Sequence, residues 1–146
     1  YELLEKGFEK ISEGYQYVTN VRPPTFPDGL DFSIFTFDLL EKAAMKAIKN
    51  YEKEHVVPWM WDNVVFQGSD SMAYNIESNK DLSKYRWTVD EYEDLELITN
   101  IFAYNNYDYE VNWKKVLKQL ENNESNLVNS HIERDEGLKK SIREEK

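Results

Sequence analysis

The sequence predicts an α/β fold followed by a helical C-terminal tail. Three observations carry this. Short aromatic and β-branched runs alternate with longer stretches whose apolar residues recur at helical spacing. Clusters of Pro, Gly, Asn and Asp separate those runs. Beyond Tyr104 the chain turns polar and only helical patterns remain, which sets a soft boundary between residues 1–104 and 105–146. No internal repeat or low-complexity tract is present.

The elements follow in chain order. Leu3, Leu4, Phe8 and Ile11 give a first helix over 2–13, with Gly14 as its stop. Tyr15 to Thr19 reads as a strand, and Val21 to Gly29, with three prolines, as an ordered loop or linker. Leu30, Phe32 and Ile34 alternate with a more polar face, which predicts a second strand. Thr36 is a natural N-cap for a helix running through Leu40, Ala44, Ala47 and Tyr51. The aromatic stretch 54–63 is ambiguous. Val64 to Phe66, Met72 to Ile76 and above all Tyr85 to Val89 are strand candidates. Asp90 opens a helix with Leu95, Ile98, Ile101 and Phe102 facing inward. Residues 111–121 form an amphipathic helix. Ser130 and Glu133 fit a capping box for a last, highly charged helix that buries little.

Composition narrows the function. The 146 residues carry 28 acidic and 18 basic side chains, a formal charge of −10. Such a surface repels phosphate backbones and anionic lipids, so neither nucleic acid nor a membrane is an expected partner. Hydrophobic residues make up 40% and aromatics 14%, enough for a core. Without cysteine there is no disulfide scaffold, no thiolate metal site and no cysteine nucleophile, which fits a cytoplasmic protein. No apolar run approaches the roughly 18 residues of a membrane span. The start, Tyr1-Glu2-Leu3-Leu4, reads as the middle of a helix, so the chain is expected to be a piece of a longer protein.

Dinucleotide, Walker, serine-elbow and paired-histidine metal motifs are all missing, which leaves carboxylates in loops and at strand ends. Asp28 and Asp31 flank Gly29 ahead of a strand. Gly29 permits a positive φ and close backbone approach, and the two aspartates can accept hydrogen bonds from sugar hydroxyls. Pro27-Asp28-Gly29 is equally a turn sequence, and locally the turn is the simpler reading. Asp90, where a strand candidate meets a helix, can hold Mg²⁺ through an oxygen. It is also a good N-cap, with Glu93 three residues on. Glu54 and His55 form a carboxylate–imidazole pair that suits either packing or a substrate or subunit contact. His131 belongs to a charged, solvated helix start. The tryptophans (Trp59, Trp61, Trp87 and Trp113) suit a core or an interface better than a base-stacking platform.

Three segments taken together change that weighting. Thr25-Phe26-Pro27-Asp28-Gly29-Leu30-Asp31, with Phe35-Thr36-Phe37 and Leu40-Glu41-Lys42-Ala43, resembles the "TFPDGLD…F-FxxLE-A" stretch of the spore-coat-polysaccharide type of cytidylyltransferase. Glu54-His55-Val56-Val57-Pro58 resembles that family's "EHVTPY". Asp81 to Asp90, with Glu93 to Ile98, resembles its "DLSHLRWTVDEPEDLELI". Order and spacing agree over about residues 15–104. Tyr92 stands where the family commonly has proline, and 71–78 is less regular than the usual connector.

The resemblance implies the acylneuraminate and 3-deoxy-manno-octulosonate cytidylyltransferase superfamily. It implies a Rossmann-like nucleotidyltransferase fold with a mixed sheet, and transfer of CMP from CTP to a sugar, commonly an acidic one, for surface polysaccharide. Carried over residue by residue, Asp90 is the catalytic and Mg²⁺-binding aspartate. Arg86 touches phosphate or sugar. Asp28, Gly29 and Asp31 lie in the sugar region, with Glu54 and His55 at its edge or at a dimer contact. The family's basic glycine loop for CTP and its "GDCPL" aspartate have no counterpart here. The chain is therefore expected to be the C-terminal portion of such an enzyme, inactive alone and prone to homodimerise through surfaces left uncovered. The competing reading is a non-catalytic interaction or dimerisation domain. A relative that uses a different nucleotide is a third.

Overall fold

A computed structural model describes residues 1–64, 66, 71–122 and 127–145. Its elements run α1 (Glu2–Ser12), β1 (Tyr17–Thr19), β2 (Ser33–Phe35), α2 (Phe37–Lys46), α3 (Asn50–His55), α4 (Pro58–Asn63), β3 (Ala73–Asn75), α5 (Tyr92–Tyr104), α6 (Trp113–Glu121) and α7 (Glu136–Glu144). They fall into two compact units. The first comprises Tyr1–Phe26, Asp31–Asp81 and Asp135–Lys146, the second Pro27–Leu30 and Leu82–Arg134. Residues 105–134 thus share a unit with Leu82–Tyr104, while α7 belongs to the first unit.

The first unit is mixed α/β. Its three-stranded sheet has the order β2-β1-β3, with β1 antiparallel to β2 and parallel to β3. Tyr17, Val18 and Thr19 of the central strand are fully buried, as expected of a strand covered on both faces. The core gathers Tyr17, Leu39, Ala43, Met60, Val64 and Ala73, with Trp59 and Trp61 packed against it. Trp61 Nε1 donates to Tyr17 Oη at 2.8 Å, which satisfies the indole N–H where it is partly buried. Helix α1 approaches β2 closely at Gly7, where a Cβ would lie 2.6 Å from Ile34 Cδ1.

Thr36 caps α2 as its sequence suggests, with its Oγ1 accepting from Leu39 N at 3.4 Å. The expected continuous helix to Tyr51 is instead broken. α2 stops at Lys46 and α3 begins at Asn50, because the buried Glu52 carboxylate turns back to accept from Ile48 N and Lys49 N, both at 3.0 Å. The ambiguous aromatic stretch is helical, and Pro58 sits in the first turn of α4, where its missing N–H costs nothing. Of the candidate strands here, Met72 to Ile76 contains the shorter β3, whereas Val65, in the Val64–Phe66 candidate, lies outside the described residues.

The second unit is helical around Leu82, Tyr85, Leu97, Ile101, Val116 and Leu120. Here the structure departs from the expected elements. Tyr85 to Val89 is not a strand and makes only a parallel bridge between Asp28 and Arg86. Asp28 N donates to Tyr85 O and Trp87 N to Asp28 O, and the ladder goes no further because Gly29 turns away at φ 100°. The N-cap of α5 is Glu91, not Asp90, with Asp94 in the role expected of Glu93. The buried residues of α5 are Asp94, Leu97 and Ile101, and Leu95, expected to face inward, is half exposed. Asn112 caps α6 through Lys114 N. The last helix begins at Glu136 behind Asp135, in a left-handed conformation, so Ser130 and Glu133 do not cap it. Among the described residues, no helix is long and apolar enough to cross a membrane.

Candidate functional site

The predicted residues separate into two groups. Asp28, Gly29, Arg86 and Asp90 are together in the helical unit. Asp31, Glu54 and His55 are in the α/β unit.

In the helical unit everything converges on Arg86, which is 8% exposed. Its Nε and Nη2 donate to the Asp94 carboxylate at 3.0 Å. Nη2 also reaches Asp90 Oδ2 at 2.9 Å, and Nη1 reaches Asp28 Oδ2 and Glu133 O, each at 3.4 Å. Asp94 is fully buried and fully satisfied. Besides Arg86 it accepts from Asn129 Nδ2 at 2.7 Å and from the backbone N–H groups of Asp90 and Glu91 at 3.1 Å. Burial by itself would raise its pKa, but the donors Arg86, Asn129 and the two backbone amides outweigh it and hold the carboxyl well below the ordinary range. The hydrogen bond to Asp94, opposed by burial and helped by the charges of Asp94, Asp28 and Asp90, raises the Arg86 pKa.

Asp90 differs from its neighbours. Its side chain is 69% exposed, so Oδ2 is held by Arg86 while the carboxylate faces water. Gly29 is fixed by geometry: a Cβ there would lie 2.7 Å from Trp87 O. Fit to Mg²⁺ is partial. Among the described residues no group of three or more His, Cys, Asp or Glu side chains is placed to hold a metal ion. Asp28 and Asp94 are turned onto the guanidinium, so of the three carboxylates around Arg86 Asp90 alone faces outward, short of the near-octahedral oxygen set Mg²⁺ demands.

In the α/β unit, Asp31 and His55 line one cavity of about 920 Å³, together with Arg22, Tyr51, Trp61 and Lys139 among others. That lies within the range of small-molecule sites, about 300–1,000 Å³. The Arg22 guanidinium lies 3.8 Å from the centre of the Trp61 ring, and its backbone N–H donates to Asn75 Oδ1 at 2.8 Å. Glu54 is not part of the lining. It accepts from Ser141 Oγ at 3.0 Å, and His55 Nε2 is 3.2 Å from that same hydroxyl. Sequence reasoning missed Asp94, Asn129, Arg22 and Lys139. Asp94 was signalled by its place four residues after Asp90 in an acidic first turn. Asn129 carries no local signal, because its partners lie 35 and 43 residues away.

A solved cytidylyltransferase from Leptospira borgpetersenii serovar Hardjo-bovis (strain JB197) superposes with a TM-score of 0.71 and 30% sequence identity over 82% of this chain. The chain is similar to a cytidylyltransferase in both fold and sequence. It spans 48% of that cytidylyltransferase, so about half of the solved protein has no counterpart in these residues. An uncharacterised protein of Methanocaldococcus jannaschii is 36% identical over 63 residues, which are 42% of this chain and 25% of that protein. No family model matches.

Proposed function

We propose that this chain is the sugar-side portion of a CTP-dependent sugar cytidylyltransferase with a Rossmann-like nucleotidyltransferase fold. The observation that carries the reading is the cytidylyltransferase likeness, at 30% identity over 82% of the chain. The quoted motifs agree with it in order and spacing. In the proposed reaction a sugar hydroxyl oxygen attacks the α-phosphorus of CTP. The new bond is sugar O–P, the bond broken joins the α-phosphorus to pyrophosphate, and the hydroxyl proton leaves to solvent or a base. The cavity holding Asp31 and His55 is assigned to the sugar. Asp90 is assigned as one oxygen ligand of Mg²⁺, which would offset phosphate charge when bound. The remaining ligands and the CTP loop belong to the half absent here, so the chain alone is expected to be inactive.

A calorimetric titration with CTP and Mg²⁺ tests this. The 146-residue chain is expected to show no binding, and the protein with the upstream segment restored to bind CTP in the micromolar range. Micromolar binding by the short chain would refute the missing-half account. No binding after restoration would refute the nucleotidyl-transfer reading itself and favour an interaction domain.

A further inference from the structure

Helix α7 is not needed for a core. None of its residues is buried, and its half-buried apolar side chains Leu138 and Ile142 face the cavity. Asp135, Leu138, Lys139 and Ile142 all line that cavity, and their spacing places them on one face of the helix. Polar pins on other positions hold the helix in place. Ser141 Oγ bridges Glu54 and His55 on α3. Glu145, just past the helix end, puts Oε1 2.6 Å from Asn50 N and Oε2 3.4 Å from Tyr51 N, so it caps the start of α3. The attachment and the cavity wall therefore use different residues of one short helix.

The charges on the cavity lining are nearly balanced. Arg22 and Lys139 are basic, whereas Asp31, Asp62 and Asp135 are acidic. A ligand carboxylate meets three like charges there and is tolerated only through the two cations. The Arg22 guanidinium stacks on Trp61, and its backbone N–H is bonded to Asn75. Lys139 is the cation that comes with α7.

We infer that α7 is the selectivity wall of this cavity. Lys139 reads whether the bound sugar carries a carboxylate, and Leu138 and Ile142 limit its size. This rests on the proposed assignment of the cavity to a sugar, and it makes the C-terminal helix part of the binding site rather than an appendage.

The test titrates the 146-residue chain with a hexuronic acid and its neutral parent hexose. Binding in the millimolar range is followed on the Trp61 indole N–H resonance and by saturation transfer to the sugar. Lys139→Glu leaves one basic side chain against four acidic ones. It is expected to lower affinity for the acid about tenfold relative to the hexose. Lys140→Glu makes the same charge change on the same helix, at a residue that does not line the cavity, and is expected to leave the ratio unchanged. Ile142→Trp fills the cavity and is expected to weaken both sugars. Circular dichroism confirms that each variant is folded, and Lys139→Gln replaces Lys139→Glu if the latter unseats the helix. Equal ratios for the 139 and 140 variants would overturn the role of α7. Failure of both sugars to bind the unaltered chain would overturn the cavity assignment. Neither result touches the CTP titration, so loss of this inference and loss of the nucleotidyl-transfer reading remain distinguishable.

Discussion

Arg86 faces three carboxylates that do unequal work, and burial decides which. Asp94 is 0% exposed and Asp28 8%, whereas the Asp90 side chain is 69% exposed. Removing one partner of a buried ion pair leaves an uncompensated charge and costs about 3–5 kcal/mol. An exposed pair is worth about 0–1 kcal/mol. Asp94→Ala is therefore expected to destabilise the helical unit by about 3–5 kcal/mol and Asp90→Ala by less than about 1 kcal/mol, measured by urea unfolding. Equal losses for the two variants would mean that Asp90 is a structural residue, and its assignment as an outward-facing ligand would fall.

At the scale of elements, the same sequence signals fared differently according to how local their causes were. Thr36 is legible because an N-cap bonds its own helix three residues on. α1, β1 and β3 are legible for the same reason: periodicity and turn residues suffice. The break between α2 and α3 was not, because helical spacing continues across it and only the buried turn-back of Glu52 stops the helix. Tyr85 to Val89 has strand composition but lacks a partner long enough to pair with, a fact that resides in Pro27–Leu30 and not in the run itself. Within the candidate site, Asp28, Arg86 and Asp90 stand in local sequence motifs, whereas Asn129 and Lys139 carry no such signal: Asn129 bonds residues far along the chain, and the cavity brings Lys139 together with Arg22 and Asp31 from distant parts of the sequence. One further element-level contact is testable. Gly7 is where α1 rests on β2, and a Cβ there would sit 2.6 Å from Ile34 Cδ1 and 3.0 Å from Phe32 Cε2. Gly7→Val is expected to cost about 1–3 kcal/mol by overpacking, despite removing a glycine from a helix. Thermal melting checks it. A gain in stability would show that α1 moves freely over the sheet.

For the whole molecule the consequential feature is that each unit has its own apolar core, one around Tyr17 and Met60, the other around Leu97 and Ile101. The buried carboxylate with the strongly depressed pKa, Asp94, belongs to the second. A carboxyl whose folded pKa lies below its unfolded value of about 3.9 contributes stability that is fully present above that value and lost as pH falls through the folded one. Acidification below about pH 4 is thus expected to draw stability from the helical unit through Asp94 in particular. Hydrogen exchange on the intact chain reads both units at once. The amides of Leu97 and Ile101 are expected to lose protection at a higher pH than those of Tyr17 and Val18. Asp94→Asn keeps the side-chain shape but cannot titrate, so this variant, though less stable at neutral pH, is expected to show a flatter acid dependence in the same amides. Simultaneous loss of protection in both cores would mean that the chain unfolds as one cooperative body. An unchanged acid dependence in the Asp94→Asn variant would remove Asp94 as its source. The order of loss also bears on function, because it tells whether the cavity of the α/β unit survives under conditions that dissolve the Arg86 cluster.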